Sequence, residues 1–367
     1  MFNMLAAWRF FVGIGIGGEY PAGSVGAAES TGELKNGTRN RWFILFTNSM
    51  IDFGFVIGAF VPFVVAVAAD SKYYGTIWRT SLGIGVVFPL VLFGLRLKLK
   101  EPENFSKNSM KHVRTPYWLV IKFYGLRLAT VSLIWFIYNF SSYAFGLYSA
   151  PILANIYDST NAPLSTVFGW NTVLNLFYIP GTLIGAPISD RLGPRYTLIL
   201  GFLTQSVVGY IMAGNYAKLS QPHLVGAFVV VYGVFLALGE LGPGNNIGLL
   251  AAKTCATGVR GQYYGIAAAV GKIGAFIGVY VFPFIQKAGG TSADVAFFQF
   301  PFWVSSSLCI LGAGLAFFML PNVGQDTIAT EDERFREYLT ANGFDVSQLG
   351  VHPQNTAEST SSMNDEK

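Results

Sequence analysis

Nine stretches of this chain stay apolar for long enough to cross a bilayer as helices, at roughly 4–28, 43–69, 77–97, 118–150, 165–188, 196–214, 222–252, 262–286 and 297–320. No other property constrains the fold so tightly. A segment inside hydrocarbon has no water for its backbone N–H and C=O groups, so it must satisfy them internally, as an α-helix does. The expected fold class is therefore all-α and integral to a membrane. Charge agrees, since only 12% of the residues are Asp, Glu, Lys or Arg, about half the fraction in a soluble domain.

The same scarcity of polar groups excludes several functions. Two cysteines, Cys255 and Cys309, imply no disulfide framework, and the three histidines adjoin no acid or cysteine at ligand spacing. Neither a metal nor another cofactor is expected. No set of nucleophile, base and orienting group is recognisable, so the chain does not read as an enzyme. The net charge of +4 marks membrane topology rather than a nucleic-acid surface. The opening MFNMLAAWRFF lacks a basic region and a cleavage site, so the first apolar run reads as a span and not as a signal peptide.

Basic residues concentrate in alternate loops: in Lys35–Arg41, throughout Arg96–Arg127, at Arg191 and Arg195, and at Lys253 and Arg260. The positive-inside rule assigns these loops, and the tail after Pro321, to the cytosol. The expected division is residues 1–97 with three spans, 98–117 as a cytosolic connector, 118–320 with six spans, and 321–367 as a cytosolic tail. Six spans is the size of one lobe of a two-lobed transporter and three is half a lobe, so the amino-terminal lobe is expected to be truncated. In the tail, Thr330-Glu-Asp-Glu333 reads as a capping box and Asn342-Gly343 as a stop. A short helix over 331–342 is predicted, followed by a disordered polar end.

The first span holds Arg9-Phe-Phe-Val-Gly13-Ile-Gly15-Ile-Gly17-Gly18-Glu19-Tyr20-Pro21. Gly13 and Gly17 offer a GxxxG face for close helix approach. Glu19 places a carboxyl near mid-membrane, where it must face protein interior or a water path. It reads as a proton-titrating group or, alternatively, as the partner of a basic residue. A third constellation, Asp190-Arg191-Leu192-Gly193-Pro194-Arg195, fills a very short turn between two spans. Such a turn can latch helix ends together through charges and helix dipoles, beyond the ordinary role of a basic turn.

DRxGxR at 190–195, RxxxG at Arg9–Gly13 and Glu101-Pro102-Glu103-Asn104 together resemble the major facilitator superfamily. GIGIGGEYP and the run from Arg260 to Ala275 resemble its phosphate:proton symporters. Asn48-Ser-Met-Ile-Asp52-Phe-Gly54 and Gly248–Thr257 resemble the fungal glycerophosphodiester permeases, which import glycerophosphoinositol or glycerophosphocholine. The resemblance covers essentially residues 1–345. It implies a twelve-span fold of which about nine spans are present here, the first three matching the fourth to sixth.

Trp135, Asn139 and Tyr143 recur every four residues and share one helix face, which can line a cavity or pack against neighbouring helices. The symporters use the corresponding Trp, acid and Tyr for substrate. Asn139 stands where they carry an Asp and cannot hold a proton, which leaves Glu19 and Asp52 as embedded carboxyls for proton coupling. Asp52 reads equally as a structural partner of Arg9 or Lys272. Glu240-Leu-Gly-Pro243-Gly-Asn-Asn246 reads as a broken helix. Asn246 occupies the place of a phosphate-contacting Asn in the symporters, with helix packing as its alternative. Lys272 supplies a mid-membrane cation suited to an anionic phosphodiester, and Lys253 lies nearer the cytosolic end, where it can also snorkel. Asn171 and Asn175 are further cavity candidates.

The expected substrate site is thus Tyr20, Trp135, Asn139, Tyr143, Asn246, Lys272 and Lys253, with Glu19 and Asp52 for protons. Arg9, Asp190, Arg191, Gly193, Arg195 and Arg260 are the expected gate or latch. The resemblance implies proton-coupled import of glycerophosphodiesters through the plasma membrane. Partners would be a small anionic phosphodiester or phosphate, protons and the lipid bilayer, and no nucleic acid. An inorganic phosphate:proton symporter is one alternative. A truncated fragment that does not transport, or a partner protein that binds substrate without moving it, is another.

Overall fold

A computed structural model describes residues 2–31, 34–70, 72–97, 110, 114–156, 163–346 and 349. The Glu101–Asn104 motif, most of the 98–117 connector and the polar end from 350 onward lie outside the described residues. Among the described residues, regular structure is helical throughout. In chain order the helices are α1 (Phe2–Thr31), α2 (Arg39–Phe46), α3 (Asn48–Ala68), α4 (Tyr74–Ile84), α5 (Val87–Arg96), α6 (Tyr117–Ile156), α7 (Leu164–Leu176), α8 (Tyr178–Leu192), α9 (Pro194–Gly214), α10 (Val225–Gly239), α11 (Asn245–Lys253), α12 (Thr257–Ala288), α13 (Val295–Met319) and α14 (Thr327–Ala341).

Eight described helices or helix pairs are long and apolar enough to cross a membrane, from Arg39–Ala68 to Val295–Met319. Each corresponds to an expected span. The ninth, α1, has 30 residues and therefore the length, but Arg9, Glu19 and its glycines make it less apolar. Several spans are two helices joined by a kink. Between α10 and α11 the chain makes a π-helical turn at Glu240–Gly244. Pro243 has no N–H to give the preceding turn, and the wide turn accommodates the lost bond. The broken helix read from the sequence is present.

Glycine contacts occur elsewhere than expected. A Cβ at Gly13 or Gly17 would meet nothing within 4 Å among the described residues, so the GxxxG face of α1 is open. The close approach is instead at Gly201 of α9 and Gly242 of the π-turn, where a Cβ on either would overlap the other's backbone. The tail helix also starts earlier than predicted. α14 begins at Thr327 behind Asp326, and Thr330 lies inside it, its hydroxyl donating back to the Asp326 carbonyl at 3.2 Å. The 330–333 pattern is therefore an interior turn rather than a cap. Its other end is as read: the helix stops at Ala341 and Gly343 follows with φ +77°.

The helices fall into a first block, α1–α5, and a second, α6–α13, and two aromatic cores fix the frame of the second block. One gathers Phe145, Tyr232, Phe235, Phe282 and Phe302 from α6, α10, α12 and α13. The other lies under the tail helix, where Phe335 and Leu339 pack on Tyr124, Cys255 and Tyr263. The first block leans on the second through α1 against α12, α2 against α8 and α3 against α7 and α8. The candidate site lies in that seam.

Candidate functional site

A cavity of about 340 Å³ opens between the blocks. The stripe of α6 forms one wall, because Trp135, Asn139 and Tyr143 all line the space with Tyr138 and Ser142 between them. The opposite walls are Tyr20 and Ser24 of α1, Asn48, Ile51 and Phe55 at the start of α3, Asn175 and Tyr178 at the α7–α8 kink, and Glu240, Gly244 and Asn245 of the broken helix. Trp135 keeps its place because Gly271 faces it, where a Cβ would come within 2.7 Å of the indole. Its ring meets Tyr264 edge-on, at 5.4 Å between centroids and 86° between planes.

Lys272 approaches this space between two tyrosines. Its ammonium donates to the hydroxyls of Tyr20, at 3.3 Å, and Tyr143. The same nitrogen lies 4.5 Å from the Tyr20 ring centre and 4.3 Å from that of Tyr143. Cation–π attraction and hydrogen bonding thus hold the charge against two tyrosines that line the cavity. Among the described residues it forms no ion pair.

Five of the expected substrate residues therefore come together: Tyr20, Trp135, Asn139, Tyr143 and Lys272. Two do not. Asn246 is fully buried, donating to the Gly242 carbonyl at 2.8 Å and accepting from the Ser189 hydroxyl at 2.6 Å. It ties α11 to α8, the packing alternative, while its neighbour Asn245 reaches the cavity. Lys253 is buried at the end that carries the basic loops, where its ammonium donates to Asn40 Oδ1 and, at 3.3 Å, to the Gln325 carbonyl. Asn175 lines the cavity, whereas the Asn171 carboxamide oxygen accepts from Ser149 at 2.7 Å.

The two embedded carboxyls separate as well. Glu19 is half exposed and forms a two-oxygen ion pair with Arg96 of α5, the basic partner that the sequence left open. It does not line the cavity. Asp52 is fully buried behind the wall, accepts the Thr182 hydroxyl, and pairs with neither Arg9 nor Lys272. The residue that sequence reasoning passed over is Glu240. Buried at the cavity edge, it accepts Tyr138 Oη at 2.7 Å and Asn48 Nδ2 at 2.8 Å. An acid inside an apolar span, just before Gly-Pro-Gly, was the available signal.

Of the expected latch, Asp190, Arg191, Gly193, Arg195 and Arg260 lie at the basic-loop end, whereas Arg9 lies near the other end of α1. Asp190 accepts the Arg41 backbone N–H at 3.1 Å, a free donor in the first turn of α2, and pairs with the Arg41 guanidinium at 3.2 Å. Gln325 donates to the same carboxylate at 3.1 Å and accepts the Arg39 N–H at 3.2 Å. Arg260 is fully buried and pairs with Glu29 of α1 at 3.0 Å. Gly193 turns the chain with φ +84°, and Arg195 caps the last span at the Ala316 and Phe317 carbonyls. Arg191 and Arg9 are exposed and take no part in these bonds.

The chain matches the family described as "Sugar (and other) transporter" over residues 1–106 and 102–335. It is 53% identical over 354 residues to the glycerophosphodiester transporter GIT2 of Candida albicans, covering 95% of this chain and 65% of that one. It is 51% identical over 352 residues to the glycerophosphocholine permease GIT4 of the same organism, with the same shares. The chain thus spans 65% of the length of these relatives. Among solved structures, the proton:xylose symporter XylE superposes with a TM-score of 0.64 at 14% identity, over 84% of this chain and 70% of that one.

Proposed function

Because this chain belongs to the sugar (and other) transporter family of the major facilitator superfamily, we propose that it imports glycerophosphodiesters across the plasma membrane, driven by protons. It is an integral multi-pass membrane protein with the major facilitator fold. The observation that carries the substrate class is the Lys272 ammonium, set between Tyr20 and Tyr143 at the edge of a cavity in the seam. A cation held there with no carboxylate paired to it among the described residues is expensive unless an anion visits it, and a phosphodiester brings one charge and two exposed oxygens. Two relatives are named for glycerophosphodiester and glycerophosphocholine, substrates of that kind.

The rest of the cavity suits the remainder of such a molecule. Asn139, Asn245 and Ser142 offer hydrogen bonds to a glycerol, and Trp135, Tyr264 and Phe55 offer apolar walls. About 340 Å³ is at the small end of organic-ligand pockets and generous for a bare phosphate, which favours the diester.

Uptake of labelled glycerophosphocholine by cells lacking their own permeases tests the reading. Saturable uptake that a hundredfold excess of inorganic phosphate fails to displace is expected; displacement by phosphate would make phosphate the substrate. Lys272→Met should reduce uptake at least ~30-fold, following from a loss of roughly 2 kcal/mol or more for an unmatched charge pair. Unaltered transport by that variant removes Lys272 from the site. No saturable uptake by the unmodified chain would oppose transport by this polypeptide itself.

A further inference from the structure

Two buried acids meet in the seam, one from each block. Asp52 stands on α3 and is fully buried, with Oδ1 lacking a hydrogen-bond partner. Glu240 stands on the π-turn and is also buried. The Thr182 hydroxyl of α8 donates to Asp52 Oδ2, and Asn48 Nδ2 of α3 lies 3.5 Å from that hydroxyl oxygen. The same amide nitrogen donates to Glu240 Oε2 at 2.8 Å and to Asn245 Oδ1 at 2.9 Å. The two carboxyls are thus linked through one hydroxyl and one amide, and the links cross between the blocks in both directions.

The other titratable groups facing the pair are Tyr138 of α6, which donates to Glu240, Tyr178 of α8, which faces both acids, and Tyr20 of α1. The cation across the cavity, Lys272, is engaged by Tyr20 and Tyr143. Among the described residues neither acid forms an ion pair. Two ionised carboxylates there would each bear the cost of leaving water and would repel one another. The site has room for two carboxyls but not for two negative charges.

We propose that the transported proton rides on the Asp52–Glu240 pair, an inference that rests on the transport reading above. The proton arrives from water at a carboxylate oxygen and leaves to water from the same pair, with no other bond made or broken. Asp52 and Asn48 move with the first block, Thr182 and Glu240 with the second. Rocking the blocks apart breaks the Thr182–Asp52 and Asn48–Glu240 bonds together, admits water and lets the proton go. Lobe movement and proton release become one event. Glu19, neutralised by Arg96, is not needed for it.

The purified chain in liposomes tests this, with glycerophosphocholine as the probe. Infrared difference spectra between acid and neutral pH should show the C=O band of a buried protonated carboxyl. That band should be lost or displaced in Asp52→Asn and in Glu240→Gln, and retained in Glu19→Gln. Glycerophosphocholine exchange should depend on pH in the unmodified chain and be flat in Asp52→Asn, and an acid gradient should no longer drive accumulation in either pair variant. A band that persists in both pair variants, or accumulation that survives in both, overturns the proposal. Absence of exchange by the unmodified chain would overturn the transport reading instead, and the infrared band still decides whether the pair holds a proton. Should Asp52→Asn not fold, Glu240→Gln and Thr182→Val, which cuts the bridge without touching a charge, give the same readouts.

Discussion

Lys272 and Asn246, both expected in the substrate site, differ in what surrounds them. The ammonium of Lys272 is held by the hydroxyls of two tyrosines that line the cavity, whereas both ends of the Asn246 amide are spent on Gly242 and Ser189. Different losses follow. Tyr143→Phe keeps the ring under the ammonium but removes the hydroxyl, so substrate affinity should fall roughly tenfold, from a hydrogen bond worth about 1–1.5 kcal/mol. A competition-binding titration with glycerophosphocholine reads this directly. Asn246→Ala should instead leave KM alone and lower the thermal midpoint, since it removes two buried hydrogen bonds worth about 1 kcal/mol each, while the Ser189 hydroxyl keeps the Gly185 carbonyl and the Gly242 carbonyl keeps the Asn245 N–H. A raised KM with an unchanged midpoint would return Asn246 to the binding site. The stripe of Trp135, Asn139 and Tyr143 was legible in advance because helical period alone puts such residues on one face. Glu240 was not, because an acid in an apolar run announces importance without announcing its partners.

At the scale of elements, length and apolarity located the spans, while the sites of close helix contact were decided by what lay opposite. Gly278 of α12 sits against α6, where a Cβ would overlap the Phe140 carbonyl, whereas a Cβ on Gly13 of α1 would meet nothing within 4 Å among the described residues. Gly278→Leu should therefore abolish recovery of monodisperse protein in size-exclusion chromatography, because overpacking a backbone contact displaces a whole helix. Gly13→Leu should elute as the unmodified chain does. The reverse pattern would mean that α1, and not α12, carries the close helix contact. The two glycines look alike in sequence, since a small-residue spacing says that a helix can approach and not that one does. The tail helix shows the same limit. Its stop at Asn342-Gly343 is a local matter and was readable. Its start at Thr327 follows Asp326, whose carboxylate makes no cap bond and instead bonds to Asn36 and Arg39, far away in the chain.

Across the whole molecule, the tail closes the basic-loop end over both blocks. Asp332 accepts the Thr257 N–H at 2.6 Å and its hydroxyl at 2.7 Å, and Glu331 accepts Arg127 at 2.8 Å. Beneath them Cys255 is fully buried, and burial pushes its thiol up to about 12. The thiolate is the reactive form, so at pH 8 the native protein should label with maleimide very slowly. Glu331→Gln weakens the tail's hold, and Cys255 should then label roughly tenfold faster or more, through an opened state in which the thiol regains an ordinary acidity. Mass spectrometry of the Cys255 peptide follows this, and an unchanged rate would mean that the tail does not cover the site. By itself the sequence determined that the chain is a set of membrane helices, where they run, and which one bears the polar-aromatic stripe. These are properties of single segments, set by the requirement that each satisfies its own backbone in hydrocarbon. Only the tertiary structure decided that Glu19 is neutralised by Arg96, that Asn246 and Lys253 are spent on packing and latch, and that Asp52 meets Glu240. A buried polar group takes its role from the partner that satisfies it, and here that partner comes from distant parts of the chain.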